Sequence, residues 1–189
     1  MDNKLTGPCK NKLLFFSPNE DGMSYFTDSL IYIGEHTKEG SLGLIINRTL
    51  EITTLEFFKS MGIDVENPLS QEKILMGGPI NPGAVFILHS ADKAWNSTML
   101  INQDISLSTS KDILLAIALG EGPKNYLIML GYSGWEGMQL DKELIDNAWI
   151  IAPMDYKILF EVKPENKVKK LSKALGFDLT MVSPNPGNA

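Results

Sequence analysis

The stretch 32-YIGEHTKEGSLGLIINR-48 sets two apolar runs around a polar turn that contains glycine. That arrangement reads as a β-hairpin, and so as antiparallel pairing. Outward from it, the runs Leu13 to Phe16, Leu30 to Ile33, Leu42 to Ile46, Ile74 to Met76, Val85 to Leu88, Thr98 to Ile101 and Tyr126 to Leu130 are short and bounded by turn residues, as strands are. Ala148 to Ile151 and Ile158 to Phe160 read as two more strands.

Four helical patterns lie between these runs. In 54-TLEFFKSMG-62, Thr53 and Glu56 stand at capping-box spacing and Gly62 is a stop. The segment 110-SKDILLAIALG-120 opens after serine and threonine caps, carries Asp112 in its first turn and closes at Gly120. The third pattern is 139-QLDKELIDN-147. The fourth spans 164–175, with Pro164 in the first turn, Val168, Leu171 and Leu175 on one face, and Gly176 to end it. Strands outnumber helices and do not alternate with them. The expected fold class is therefore α+β with a mixed or antiparallel sheet, in one domain over 1–189 whose last residues, 183-SPNPGNA-189, form a frayed tail.

A chain of 189 residues with 43% hydrophobic content can build one sizeable core. Neither a signal-peptide apolar region nor a bilayer-length span is present in the first thirty residues, because Leu13 to Phe16 gives way at once to Ser17-Pro18-Asn19-Glu20-Asp21. With a single cysteine, Cys9, the chain has no intramolecular disulfide, which suits a reducing compartment; the expectation is cytoplasmic, with no membrane association. The net charge of −6 opposes non-specific attraction to phosphate backbones, so direct nucleic-acid binding is not favoured. The local exception is 163-KPENKVKKLSK-173, whose lysines read first as the wet side of an amphipathic helix and second as a phosphate-binding stripe.

The glycines Gly131, Gly134 and Gly137 follow the Tyr126–Leu130 run and precede a helix, a place where backbone N–H groups can meet an anion. Their spacing matches no nucleotide-binding loop, so a tight turn covered by Tyr132 and Trp135 is the simpler reading. Gly77-Gly78-Pro79 and Pro82-Gly83 are explained by turn chemistry. His36 and His89 are the only histidines, each near carboxylates or serines; each reads first as a turn or strand-end residue satisfied by hydrogen bonds and second as a candidate general base. No H-E-x-x-H or C-x-x-C pattern accompanies them, so no metal site is expected, and a Ser-His-acid triad lacks the G-x-S-x-G elbow. Arg48 is placed either to clamp an anion or to pair with Glu35 or Glu51.

Four blocks in order, 34-GEHTKEGSLGLIINR-48, 76-MGGPINPG-83 with Leu88-His89, 109-TSKDILLAIALGEGP-123 and 130-LGYSGWEGMQLDKELIDNAWI-150, resemble the YqgE/AlgH family of small bacterial proteins. The chain departs from the family's pattern at Thr49, where proline usually follows Asn-Arg, and at Ala84-Val85, where an Arg-Gly pair usually precedes the Phe. The resemblance implies an α+β fold whose sheet curls toward a barrel with about four helices around it. It implies no catalytic residue, because the family has no established activity or cofactor and its members are often labelled transcriptional regulators. The expected function is a non-enzymatic regulatory or adaptor protein acting through a protein partner or small ligand. Its binding region is expected near Glu35, His36, Asn47, Arg48, Gly78, His89, Tyr132, Trp135 and Gln139. Two alternatives stand beside it: a hydrolase or metabolite-binding enzyme using His36 or His89, and nucleic-acid binding through the Lys-rich helix 164–175.

Overall fold

A computed structural model describes residues 7–16, 24–65 and 72–182. The expected tail 183–189 and the polar stretch 17–21 lie outside them. Among the described residues the strands are β1 (Lys12–Phe16), β2 (Leu30–His36), β3 (Gly40–Ile45), β4 (Thr49–Thr53), β5 (Lys73–Met76), β6 (Ile80–Ser90), β7 (Thr98–Leu100), β8 (Ile105–Ser108), β9 (Tyr126–Glu136) and β10 (Trp149–Pro153). The α-helices are α1 (Thr54–Ser60), α2 (Lys111–Ala118), α3 (Gln139–Ile145), α4 (Tyr156–Phe160) and α5 (Lys167–Leu175). They divide into two compact units: the described residues up to Asn47 and from Ser133 onward form the first, and those within Arg48–Tyr132 form the second.

In the first unit β10, β1, β2, β3 and the end of β9 pair antiparallel in that order. The 32–48 stretch is the hairpin its pattern predicts. Its turn is closed by the Thr37 N–H on the Gly40 carbonyl at 2.9 Å, with the Thr37 hydroxyl accepting from the Glu39 N–H at 3.2 Å. Leu14, Ile31, Ile33, Ile45, Trp135 and Trp149 bury together beneath this sheet, and Leu140 of α3 joins them. In the second unit β9 lies between β5, parallel to it, and β6, antiparallel to it; β8 and then β7 continue beyond β6, and β4 pairs with β5. A separate apolar cluster fills this unit, with Phe57, Phe58, Ile74, Ile113, Ile117 and Ile128 at its centre. The fold is thus α+β, with mixed, largely antiparallel strand pairing.

Local chemistry sets the helix ends. The Thr53 hydroxyl accepts from the Glu56 N–H at 3.3 Å and the Glu56 carboxylate accepts from the Thr53 N–H at 2.8 Å, the reciprocal box expected from the spacing. Gly62, Gly120 and Gly176 follow α1, α2 and α5 in left-handed conformations, as stops. Ser110 precedes α2 but does not cap it, because its hydroxyl accepts from the Ser97 N–H at 3.2 Å.

Four expectations need correction. Ile158 to Phe160 is helical, not a strand: Asp155 caps α4 by accepting from the N–H groups of Lys157 and Ile158 at 2.8 and 3.0 Å. The strand through Tyr126 does not stop before the glycines but runs on to Glu136, because Gly134 and Glu136 pair with Leu42 and Gly40 of β3. Two strands were invisible in the sequence: β4, which runs directly into α1, and β8, where Ser106 and Ser108 are buried hydrophilic residues in an otherwise apolar strand. Finally, Lys167 is not on the wet side of α5. It is fully buried, and its ammonium donates to the Ile158 and Leu159 carbonyls of α4 at 2.7 and 2.5 Å.

Candidate functional site

The sequence-picked residues are shared between the units. Glu35, His36, Asn47, Trp135 and Gln139 belong to the first, and Arg48, Gly78, His89 and Tyr132 to the second.

In the first unit His36 ends β2 and is buried. Its Nδ1 faces the Cys9 N–H at 3.2 Å, and its Nε2 faces the Asp141 carboxylate of α3 at 3.2 Å. A backbone N–H only donates and a carboxylate only accepts. Nδ1 must therefore carry the lone pair and Nε2 the proton. Both ring nitrogens face protein atoms and the ring is buried, so no lone pair points toward a substrate. Cys9 beside it is buried and its thiol is pushed up to about 11, first by desolvation and then by the Asp141 carboxylate, with Lys12 pulling weakly the other way. At that value the thiol is protonated near neutrality and a poor nucleophile.

Two residues further along α3, the Glu143 Oε2 accepts from the indole N–H groups of Trp135 and Trp149 at 2.9 and 2.7 Å. Its Oε1 accepts from Gln139 Nε2 at 2.8 Å, and Gln139 Oε1 accepts from the Glu136 N–H at 3.2 Å. The indoles meet edge to face at 5.7 Å, and Phe26 stacks on Trp135 at 6.3 Å. Packing fills this aromatic cluster. Asn47 is a clamp on the turn before β2, accepting from the Leu30 N–H and donating to the Asp28 carbonyl, both at 2.8 Å. Glu35 sits half-buried at a bulge where the β2–β3 register shifts.

In the second unit His89 is fully buried on β6. Its Nδ1 lies 2.8 Å from the Ser90 carbonyl and its Nε2 lies 2.8 Å from the Ser108 hydroxyl. A carbonyl needs a donor, so here Nδ1 carries the proton and the Ser108 hydroxyl donates to Nε2. Burial pulls the imidazole's pKa below its ordinary value, and the Ser90 carbonyl and the Asp92 carboxylate only partly offset this. This is a serine–histidine pair, yet Ser108 is itself fully buried and also touches the Thr98 hydroxyl at 2.8 Å. Neither partner of the pair is open to solvent. Asp92 is tied down too, accepting from the Ser90 hydroxyl and from the Lys124 N–H at 3.3 Å.

The glycine loops are close-approach points. At Gly131, φ is +70° and an added Cβ would stand 2.5 Å from the Gly78 carbonyl; at Gly137 it would stand 2.8 Å from the Lys38 carbonyl. Tyr132 packs against Phe86 at 5.4 Å, and β6 bulges outward between Ile80 and Val85 beside it. Arg48 begins the second unit with its carbonyl accepting from the Met76 N–H at 2.9 Å, while Glu51 forms its ion pair with Lys73 at 2.7 Å. On the first unit a shallow groove between α5 and the residues after it is lined by Glu165, Lys169, Lys173, Phe177, Asp178 and Thr180. Among the described residues no three His, Cys, Asp or Glu side chains are grouped to hold a metal ion. Nor is any helix long and apolar enough to cross a membrane.

A family model described as AlgH-like matches residues 13–180. The chain belongs to the AlgH-like family. Its relatives include UPF0301 proteins of Thioalkalivibrio sulfidiphilus, 36% identical over 95% of this chain and 96% of theirs, and of Pseudomonas fluorescens, 40% identical over 87% of each. The solution structure of the AlgH protein from Pseudomonas aeruginosa matches at a TM-score of 0.78 and 35% identity, over 98% of this chain and 100% of that one. Within this AlgH-like chain, sequence reasoning missed the partners that fix each picked residue: Asp141, Glu143 and Ser108. Asp141 and Glu143 lie in the predicted 139–147 helix, but nothing in a helical pattern says which carboxylate turns inward.

Proposed function

We propose that this AlgH-like protein acts by binding, as a regulatory or adaptor protein engaging a protein partner or a small ligand, and not by acid–base catalysis at its histidines. The observation that carries this reading is that both imidazoles are buried with both ring nitrogens occupied by protein atoms. A general base needs a free lone pair within reach of substrate, and neither ring offers one. Transcriptional control by this route would run through a partner or ligand. Direct nucleic-acid contact stays disfavoured, because Lys167 leaves the lysine stripe for the interior and the net charge is −6. A cytoplasmic location fits a chain whose single cysteine is a buried free thiol. The family match across both units supports treating them as one functional domain.

The test pairs two assays on the full chain. Turnover of p-nitrophenyl esters and phosphates is compared among the wild type, His36→Asn and His89→Gln, and melting temperature is screened against nucleotides, phosphorylated metabolites, DNA and RNA. The expected result is no histidine-dependent turnover. Turnover that is lost in a folded histidine variant overturns the reading in favour of an enzyme, and a salt-sensitive shift with DNA or RNA overturns it in favour of nucleic-acid binding.

A further inference from the structure

Among the described residues, 7–11 are fastened along β2 by hydrogen bonds, one of which depends on the protonation state of a side chain. The Gly7 N–H donates to the His36 carbonyl at 2.6 Å, the Asn11 N–H to the Ile33 carbonyl at 2.8 Å, and the Tyr32 hydroxyl to the Asn11 side chain at 3.0 Å. Between them stands the Cys9 N–H on His36 Nδ1. Gly7 lies flat on the imidazole, where a Cβ would come within 2.5 Å of the ring. Beneath this strap the Cys9 side chain is fully buried.

We propose that residues 7–11 form an acid-released strap: when His36 takes up a proton at Nδ1, the strap lifts and uncovers Cys9. The reason is a mismatch of donors. Protonated Nδ1 becomes a donor pointed at a backbone N–H that cannot become an acceptor, so that contact turns repulsive. On the other side of the ring the Asp141 carboxylate of α3 attracts the imidazolium, so the ring stays with α3 and the strap yields. The other titratable groups bearing on the site are the Cys9 thiol itself, which stays neutral, and Lys12 at the strap's end, which interacts with Cys9. Loss of a buried hydrogen bond with two donors left facing each other raises the open population by roughly ten- to hundredfold.

Cys9 is the chain's only thiol, so its labelling reports the strap directly. The rate of reaction of the full-length protein with 4,4′-dithiodipyridine is measured from pH 8 to 5 and divided by the rate for free cysteine at each pH. Readings are kept to the range where far-UV dichroism and tryptophan emission stay native. The expected result is a normalised rate that rises at least about tenfold toward acid. In His36→Asn, whose amide oxygen can still accept from Cys9 and cannot be protonated, the rise disappears. In Asp141→Asn, where the charge that favours the imidazolium is gone, it moves to lower pH. A flat profile in the wild type overturns the proposal, as does the same rise in folded His36→Asn. Should His36→Asn not fold, an unmoved profile in Asp141→Asn overturns it.

Discussion

The two buried histidines are wired in opposite senses. His36 in the first unit holds its proton on Nε2, toward a carboxylate, and takes a backbone N–H on Nδ1; His89 in the second holds its proton on Nδ1, toward a carbonyl, and takes a hydroxyl on Nε2. The difference lies in which partner can adapt. Ser108 can rotate its hydroxyl and accept instead of donate, whereas the Cys9 N–H has no second role. It extends to the cores around them. Both units bury an apolar cluster, but the first adds the charged side chains of Asp141, Glu143 and Lys167 as ties between its elements, while in the second α1 and α2 pack on the cluster and the neutral hydroxyls of Thr98 and Ser108 join β7 to β8. Where a charged side chain ties two elements, the tie fails when the charge loses its partner. A unit held by packing fails when volume is removed.

The sharpest test of that contrast is truncation in the second unit. Phe58→Ala, at a fully buried ring of α1, is expected to cost about 3–5 kcal/mol, read as a lowered denaturant midpoint. Its counterpart in the first unit is Lys167→Met, which keeps much of the side-chain volume and removes only the ammonium. Left with two buried carbonyls unsatisfied, this variant should lose about 3 kcal/mol in the same experiment. Lys170→Met on the exposed side of α5 should change stability by less than about 0.5 kcal/mol. If Lys167→Met is as mild as Lys170→Met, the claim that charge holds the first unit is wrong.

Glu143→Ala orphans two indole N–H groups at once and is expected to cost about 2 kcal/mol. A shifted tryptophan emission should accompany it, since Trp135 and Trp149 share that carboxylate. Thr53→Ala removes the hydroxyl half of the α1 capping box and should cost about 1 kcal/mol, measured by urea unfolding.

The smallest expected effect is the pH dependence contributed by His89. Its folded-state pKa lies below the ordinary value of 6.5, so the unfolded chain binds the proton first as pH falls. Stability from this group is complete above about pH 6.5 and declines as pH drops from there through the lower folded value. His89→Gln should flatten that part of the stability profile. An unchanged slope would mean that burial does not govern this imidazole.

Much of the fold was legible in the chain. The hairpin at 32–48, the Thr53–Glu56 box and the glycine stops at 62, 120 and 176 are short-range chemistry, fixed by residues a few positions apart. The α+β class followed from counting such elements. What stayed hidden were the features whose cause lies far along the chain. The Gly131–Gly134 stretch looked like a turn, because its pairing partners on β3 and β6 are remote in sequence. Ile158 to Phe160 reads as a strand on its apolar run, although the nearby Asp155 caps it as a helix and Lys167 satisfies two of its carbonyls. For His36 and His89 the sequence favours residues satisfied by hydrogen bonds but does not name their partners. A sequence shows that an imidazole is present, but the lone pair is decided by whichever donor the tertiary structure brings against it. For His36 that donor is a backbone N–H contributed 27 residues away. The sequence by itself determined the family, the α+β class and those elements whose ends are set by residues a few positions apart; only the tertiary structure decided the rest, including which polar groups those elements would use to hold one another, because hydrogen-bond partners are chosen by proximity in space.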